Sequence, residues 1–369
     1  MKIVINQDKL ENILLFLYFF IGSVAKIGNI FWVKALAYSV WIIIVFLYAV
    51  YTRKKIYVDL VVFYFVFICI YSYGIINNYE FISTQHIYAI FIYLFPTYYV
   101  MRTAGTEELK FERMLFLSAY CNMAIYIPLC VSAPSNSYMD YAYGILLNTC
   151  IIILKYLEEN KVSDIVIGSI GGICAILYCS RGAVVVLVAM ILYFCVSSLW
   201  NKKYKFPTLV IIGLIALWCN MEKLLLFMSN NGIESRNINK FLSSSFFESL
   251  GRSVLNEKCI GLILKNPWGY GILSNRKLLY PEPYPHNWVY EIFIDYGHYL
   301  GVIIILLISI IGIYLITNNK IKTAKIAIIF YLIGISIQMI SNSLYYTNYF
   351  TVALALCMNI RQNKLKCRE

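Results

Sequence analysis

Apolar stretches about as long as a bilayer is thick recur from end to end of the 369-residue chain, separated by short polar breaks. A helix needs about 20 mostly apolar residues to cross the hydrocarbon core of a membrane. The pattern therefore predicts an all-α, polytopic integral membrane protein of about 12 transmembrane helices. They fall near 10–25, 30–51, 56–76, 85–101, 112–132, 141–157, 164–180, 182–199, 206–228, 288–317, 325–342 and 346–360. The run over 164–199 is too long for one crossing and holds Arg181 near its middle. A lone arginine at the bilayer centre costs about 2.5–3.5 kcal/mol on insertion scales. A break at Ser180-Arg181-Gly182 avoids that cost: it makes a tight hairpin, puts the guanidinium at the interface and uses glycine where the backbone must turn.

Lysine and arginine alternate with these helices. If the chain starts inside, the cytoplasmic segments hold Lys2 and Lys9; Arg53, Lys54 and Lys55; Arg102, Lys110 and Arg113; Lys155 and Lys161; Lys202, Lys203 and Lys205; Lys320, Lys322 and Lys325; and Arg361, Lys364, Lys366 and Arg368. The opposite short loops hold Lys26, Lys34 and Arg181 only. Positive charge in short loops marks the cytoplasmic side, so both termini are expected inside. The chain then divides into nine helices over 1–228, one large extracytoplasmic loop over 229–287, and three helices with a basic tail over 288–369. The ending Gly22-Ser23-Val24-Ala25 resembles a signal-peptidase site, but the alternation needs the first helix, which is read as uncleaved.

Composition agrees with a bilayer as solvent. The chain is 61% hydrophobic and 14% charged, against about 45–50% and 25% in soluble domains. Its 33 tyrosines suit interfaces where a ring is dry and its hydroxyl wet. The net charge of +12 would suggest nucleic acid in a soluble protein. Here the basic residues sit in short loops with no basic helix, so they read as topology and no nucleic-acid partner is expected. Of 11 cysteines, only Cys259 lies in the large loop and Cys367 in the tail; the rest fall in or beside apolar runs. No Cys-x-x-Cys pair or Cys/His cluster occurs, so no disulfide framework, zinc site or other metal is expected, nor any cofactor.

The large loop has its own character. It carries Arg236, Lys240, Arg252, Lys258, Lys265, Arg276 and Lys277 on the side where other loops are nearly free of positive charge. Long loops escape the charge rule, yet the excess calls for a reason. Residues 241–264 read as short amphipathic helical pieces, after which Pro267, Gly269, Gly271, Pro281, Pro283 and Pro285 impose turns and extended chain.

Three features fall on the same predicted face. Ser180-Arg181-Gly182-Ala183 starts a helix. Gly251-Arg252 is followed by Asn266-Pro267-Trp268-Gly269-Tyr270-Gly271. Pro285-His286-Asn287 then opens an apolar helix with Gly297 and Gly301. Together, in this order, they resemble the O-antigen polymerase and O-antigen ligase superfamily of bacterial membrane glycosyltransferases. The Gly297-His298-Tyr299-Leu300-Gly301 pair is one residue wider than that family's spacing.

The resemblance implies a donor and acceptor carried on undecaprenyl pyrophosphate, embedded in membrane lipid, with a chain-length regulator protein as a further partner. It implies a site in the bacterial inner membrane. A departing pyrophosphate needs fixed cations, and arginine binds phosphate oxygens bidentately; Arg181 and Arg252 are the candidates. A sugar hydroxyl needs a base, and histidine titrates near neutral pH. His286 is the candidate, with Asn287, Tyr290 and Glu291 as substrate-binding neighbours and Glu291 as the alternative base.

Plainer readings stand beside these. Arg181 could anchor a hairpin at the head groups. Arg252 could pair with Glu248 one turn earlier. His286 could be an interfacial or helix-start residue, and His86 and His298 read as structural. Tyrosine and tryptophan near 280–290 suit an interfacial belt, and Gly297 and Gly301 suit close helix packing. The function expected is polymerisation of lipid-linked repeat units into O-antigen or capsule. Its rivals are a ligase moving glycan to a lipid A core, a flippase or transporter, and a structural membrane subunit.

Overall fold

In a computed structural model, residues 7–27, 31–52, 58–78, 94–105, 107–132, 138–178, 180–220, 223, 227, 230, 252–282, 285–340 and 349–366 are described. All the regular elements among them are helices. His86, Arg236, Lys240 and Glu248 lie outside the described residues, as do the side chains of Arg181 and Arg252. In chain order the helices are α1 (Gln7–Ile27), α2 (Phe31–Thr52), α3 (Val58–Asn78), α4 (Phe95–Ala104), α5 (Glu108–Ser132), α6 (Tyr138–Glu159) and α7 (Val162–Tyr178). They continue as α8 (Arg181–Trp200), α9 (Lys205–Cys219), α10 (Arg252–Lys265), α11 (Ser274–Leu278), α12 (Trp288–Thr317), α13 (Lys322–Ile340) and α14 (Tyr349–Lys366).

Three of these helices contain stretches long and apolar enough to cross a membrane: Glu108–Val131, Gly182–Trp200 and Trp288–Thr317. The break expected at 180–182 is present, because α7 ends at Tyr178 and α8 begins at Arg181. Ser180 is its N-cap, its hydroxyl accepting the Ala183 amide at 3.3 Å. Such a cap satisfies one of the amides a helix start leaves open and is worth about 1 kcal/mol.

The chain forms two compact units that cut across the linear division into helices, loop and helices. One combines residues 1–25, 30–115 and 249–369, and the other 26–29 and 116–248. In the second unit α6 packs on α7 and α8, and α8 also packs on α9. Tyr120 bridges two charges there: it donates to Asp164 Oδ1 at 2.6 Å and accepts from Lys155 Nζ at 3.1 Å.

In the first unit α12 packs on α10, α11, α13 and α14, and α14 also packs on α4. Polar contacts gather helix ends at one pole of this unit. Lys110 pairs with Asp8 at 2.9 Å, Lys322 with Glu112 at 3.6 Å, and the Thr323 hydroxyl donates to Glu108 at 2.6 Å. Lys364 donates to Asn318, just past the end of α12. Arg102, read above as a loop cation, is instead buried there. It pairs with Asp59 at 2.9 Å, donates to Gln362 at 2.9 Å and also to Asn359. A buried guanidinium is tolerated only when its donors are met in this way.

Candidate functional site

At the opposite end of α12 the helix is interrupted. Gly297 has φ 72° and ψ −176°, so the helix formed by 288–296 stops and a second segment restarts along a new course. The break deprives the Ile294 and Asp295 carbonyls of their usual partners four residues on, and frees the amide of His298. Buried backbone groups must be paired, and the Pro267–Gly271 turn pairs all three. Tyr270 N donates to Ile294 O and Gly271 N to Asp295 O, both at 2.9 Å, while His298 N donates to Pro267 O at 2.7 Å.

The turn is itself braced by Asn266, whose Nδ2 donates to Gly269 O at 2.8 Å and whose Oδ1 accepts from Trp268 N at 3.2 Å. Two glycines let turn and helix touch. A Cβ on Gly297 would lie 2.3 Å from the Trp268 carbonyl carbon, and one on Gly269 would lie 2.4 Å from Gly297 N. This corrects the reading of Gly297 as a helix-packing glycine: it is the break itself. Gly301 instead makes room for the Phe293 ring of the same helix, 2.8 Å from a built Cβ. Gly297→Ala would force a left-handed conformation costing about 1–3 kcal/mol, besides the overlap. Limited proteolysis of the purified variant is expected to cut within 266–275 at protease levels that leave the native protein whole.

Asp295 locks the next segment. The residue is 2% exposed. It accepts from Leu273 N at 2.9 Å, Ser274 Oγ at 3.0 Å, Asn275 N at 3.2 Å and Asn275 Nδ2 at 2.9 and 3.0 Å. The position before α11 is Leu273, left-handed at φ 63° and without a capping side chain. Asp295 thus supplies from a neighbouring helix the acceptor that a side-chain N-cap would supply locally.

One turn before it on α12, Glu291 is 1% exposed, and its Oε1 lies 3.5 Å from Asn275 Nδ2 and 3.9 Å from Arg276. Both carboxylates, Asn275 and Arg276 form one buried polar cluster in the first unit. Glu291 sits in the first turn of α12, where the helix dipole favours an anion.

Beneath the cluster lies an apolar seat. Leu255 and Cys259 of α10, Leu279 and Ile294 are buried together, with Tyr270, Leu278 and Tyr290 packed against them. Burial pushes the Cys259 thiol up to about 11, so it stays a neutral packing group at neutral pH.

The expected site residues therefore take different places. His286 is half-buried beside α12 and left-handed at φ 54°, a conformation that costs energy in a non-glycine residue and clusters at functional sites. Asn287 is the N-cap of α12, its Oδ1 accepting from Val289 N at 2.9 Å; Tyr290 belongs to the apolar seat. Those two have structural work, whereas Glu291 faces the polar cluster. Arg252 is the first residue of α10 in the same unit, and Arg181 the first residue of α8 in the other unit. His298 joins the dock through its backbone and sets its ring edge-on to Phe293 at 6.0 Å, in keeping with the structural reading.

Sequence reasoning missed Asp295, Asn275 and Arg276. An acid two residues before a glycine in a largely apolar helix was the signal that could have found the first of them. Among the described residues no three His, Cys, Asp or Glu side chains gather as metal ligands would. No protein-family model matches this chain, and neither does any curated protein or solved structure.

Proposed function

We infer that this protein is a membrane glycosyltransferase that polymerises undecaprenyl-pyrophosphate-linked repeat units into O-antigen or capsular polysaccharide, on the outer face of the bacterial inner membrane. The observation that carries the reading is the dock between two of the sequence features behind the resemblance. The Pro267–Gly271 turn is bonded to the helix that His286 and Asn287 open. Such a dock gives a preorganised site: His286 or Glu291 takes the acceptor proton, and Arg276 stands beside Glu291. Arg181 and Arg252 each begin a helix, where backbone amides and the helix dipole already favour an anion. A guanidinium there meets the charge that develops as the lipid pyrophosphate leaves.

The full arrangement belongs to the same proposal: about 12 crossings, both termini inside and residues 229–287 outside. It draws support from the pole where the start of α1 meets the starts of α3, α5 and α13 and the end of α14, since those segments carry cations that the charge rule places on one side. Deleting the gene is expected to leave surface glycan of one repeat unit on an intact core. A ligase would instead leave a bare core and polymer stranded on the lipid carrier, and unchanged polymer length would refute both.

A further inference from the structure

The loop between α9 and α12 is unlike a loop designed for water. Helix α10 buries Leu255 and Cys259, yet Val254 on its outer face is 72% exposed and Leu264 71%. Exposed lysines, Lys258 and Lys265, share that face. Past the helix, Trp268 is 77% exposed and lies against Tyr299, which is 65% exposed, with ring centroids 5.1 Å apart.

The Trp268 ring is carried on a rigid mount, because its turn is bonded to the break in α12. Tyr299 marks a boundary on that helix. Before the break, Trp288, Glu291, Ile292, Ile294 and Asp295 are buried; after it, Leu300, Val302, Ile303, Leu306, Leu307 and Ile310 are exposed. About 20 residues remain from the break to the end of α12, or about 30 Å at 1.5 Å per residue, the thickness of the hydrocarbon core. The Trp268–Tyr299 pair therefore stands where an apolar, lipid-facing surface begins.

We propose that the outer face of α10 and the Trp268–Tyr299 pair lie in the headgroup region of the bilayer, bound to phospholipid rather than standing in water. The aromatic pair, the apolar side chains and the two lysines each fit that occupant, while Glu257, exposed on the same helix, keeps its carboxylate in water. Tryptophan and tyrosine prefer the interface because an apolar ring and a polar tip are accommodated together. Val254 and Leu264 lose water at the headgroup–acyl boundary, while Lys258 and Lys265 extend their stems over apolar surface and set their ammonium groups among phosphates. The same contacts give the lysines of α10 a role on the face where the short loops hold few cations. The surface is continuous with the lipid-facing side of α12, and this placement does not rest on the enzymatic reading.

The test uses the full-length protein reconstituted in phospholipid vesicles. Trp268 emission is isolated as the difference between wild type and Trp268→Phe, an exposed aromatic exchange that leaves the dock's backbone bonds in place. Lipid brominated near the headgroup should quench most of that difference, lipid brominated at mid-chain less, and aqueous iodide little. Strong quenching by iodide with none by either brominated lipid would overturn the proposal. If the emission of the remaining tryptophans were also insensitive to brominated lipid, the membrane reading would fall with it. Absence of polymerase activity in the reconstituted wild type, with the quenching pattern intact, would count against only the function.

Discussion

Asp295→Ala is expected to release the segment that leads into Arg276. The substitution leaves the Leu273 and Asn275 amides, the Ser274 hydroxyl and the Asn275 side-chain amide without the acceptor that now receives them. A buried donor left unmet costs about 1–3 kcal/mol. These losses do not simply add, and removing one side of a buried charged arrangement costs about 3–5 kcal/mol. Hydrogen exchange should report it directly: the amides of Leu273 and Asn275 exchange orders of magnitude faster in the variant, while those of α6 and α7 in the other compact unit keep their protection.

The conservative replacements separate a bonding role from bulk. Asp295→Asn preserves shape but turns an amide donor toward donors, so it should behave nearly as badly as alanine. Adding Asn275→Asp to it reverses that pair and should restore part of the protection, because the new carboxylate accepts from the new amide. Unchanged exchange in Asp295→Ala would remove the lock from this account. If polymer length falls in the single variants and recovers in the pair, Asp295 acts by holding Asn275 and Arg276 in place rather than by touching substrate.

Arg181→Lys and Arg252→Lys are expected to abolish most polymerisation while leaving the protein at its normal level in the membrane. Lysine keeps the charge but presents it as a point, without the planar fork that matches two phosphate oxygens. Loss of one preorganised donor to developing charge costs about a hundred- to a thousand-fold in rate, or about 2.7–4 kcal/mol.

A stability role predicts the opposite ranking. Both arginines are the first residues of their helices, where a cation opposes the helix dipole by about 0.3–1 kcal/mol. Neutral replacements should leave folding unharmed or slightly improved, and lysine should equal arginine. The measurement is the length distribution of surface glycan at matched expression. Full-length polymer from both lysine variants would leave the arginines as interfacial anchors and remove their pyrophosphate-binding role.

The features legible in the sequence are those set by local chemistry. Apolar runs near bilayer length predict helices because a backbone in lipid must satisfy its own polar groups, and α1, α2 and α3 fall close to the expected ranges. Arg181 is assigned to a helix start by local chemistry alone, because a charge in the middle of an apolar run is costly and Gly182 lets the backbone turn there. The turn at 266–271 was legible from its proline and glycines.

What the turn is for was decided by tertiary structure. Gly297, read along the chain, looked like one member of a small-residue pair, since helical spacing says nothing about a strand of turn lying across the helix. Asp295 could not be recognised as an acceptor for 273–275 because its partners are about twenty residues earlier and their register depends on the break. Arg102 counted as a loop cation until α3 and α14 brought Asp59, Asn359 and Gln362 around it. Asn287 and Tyr290 shared a helical turn with Glu291 in the sequence, but capping and packing claimed the first two and left the third in the polar cluster. Period and composition determine which segments become helices. Which polar groups meet depends on breaks and contacts between segments far apart in the chain, and those are settled only when the buried donors and acceptors find one another.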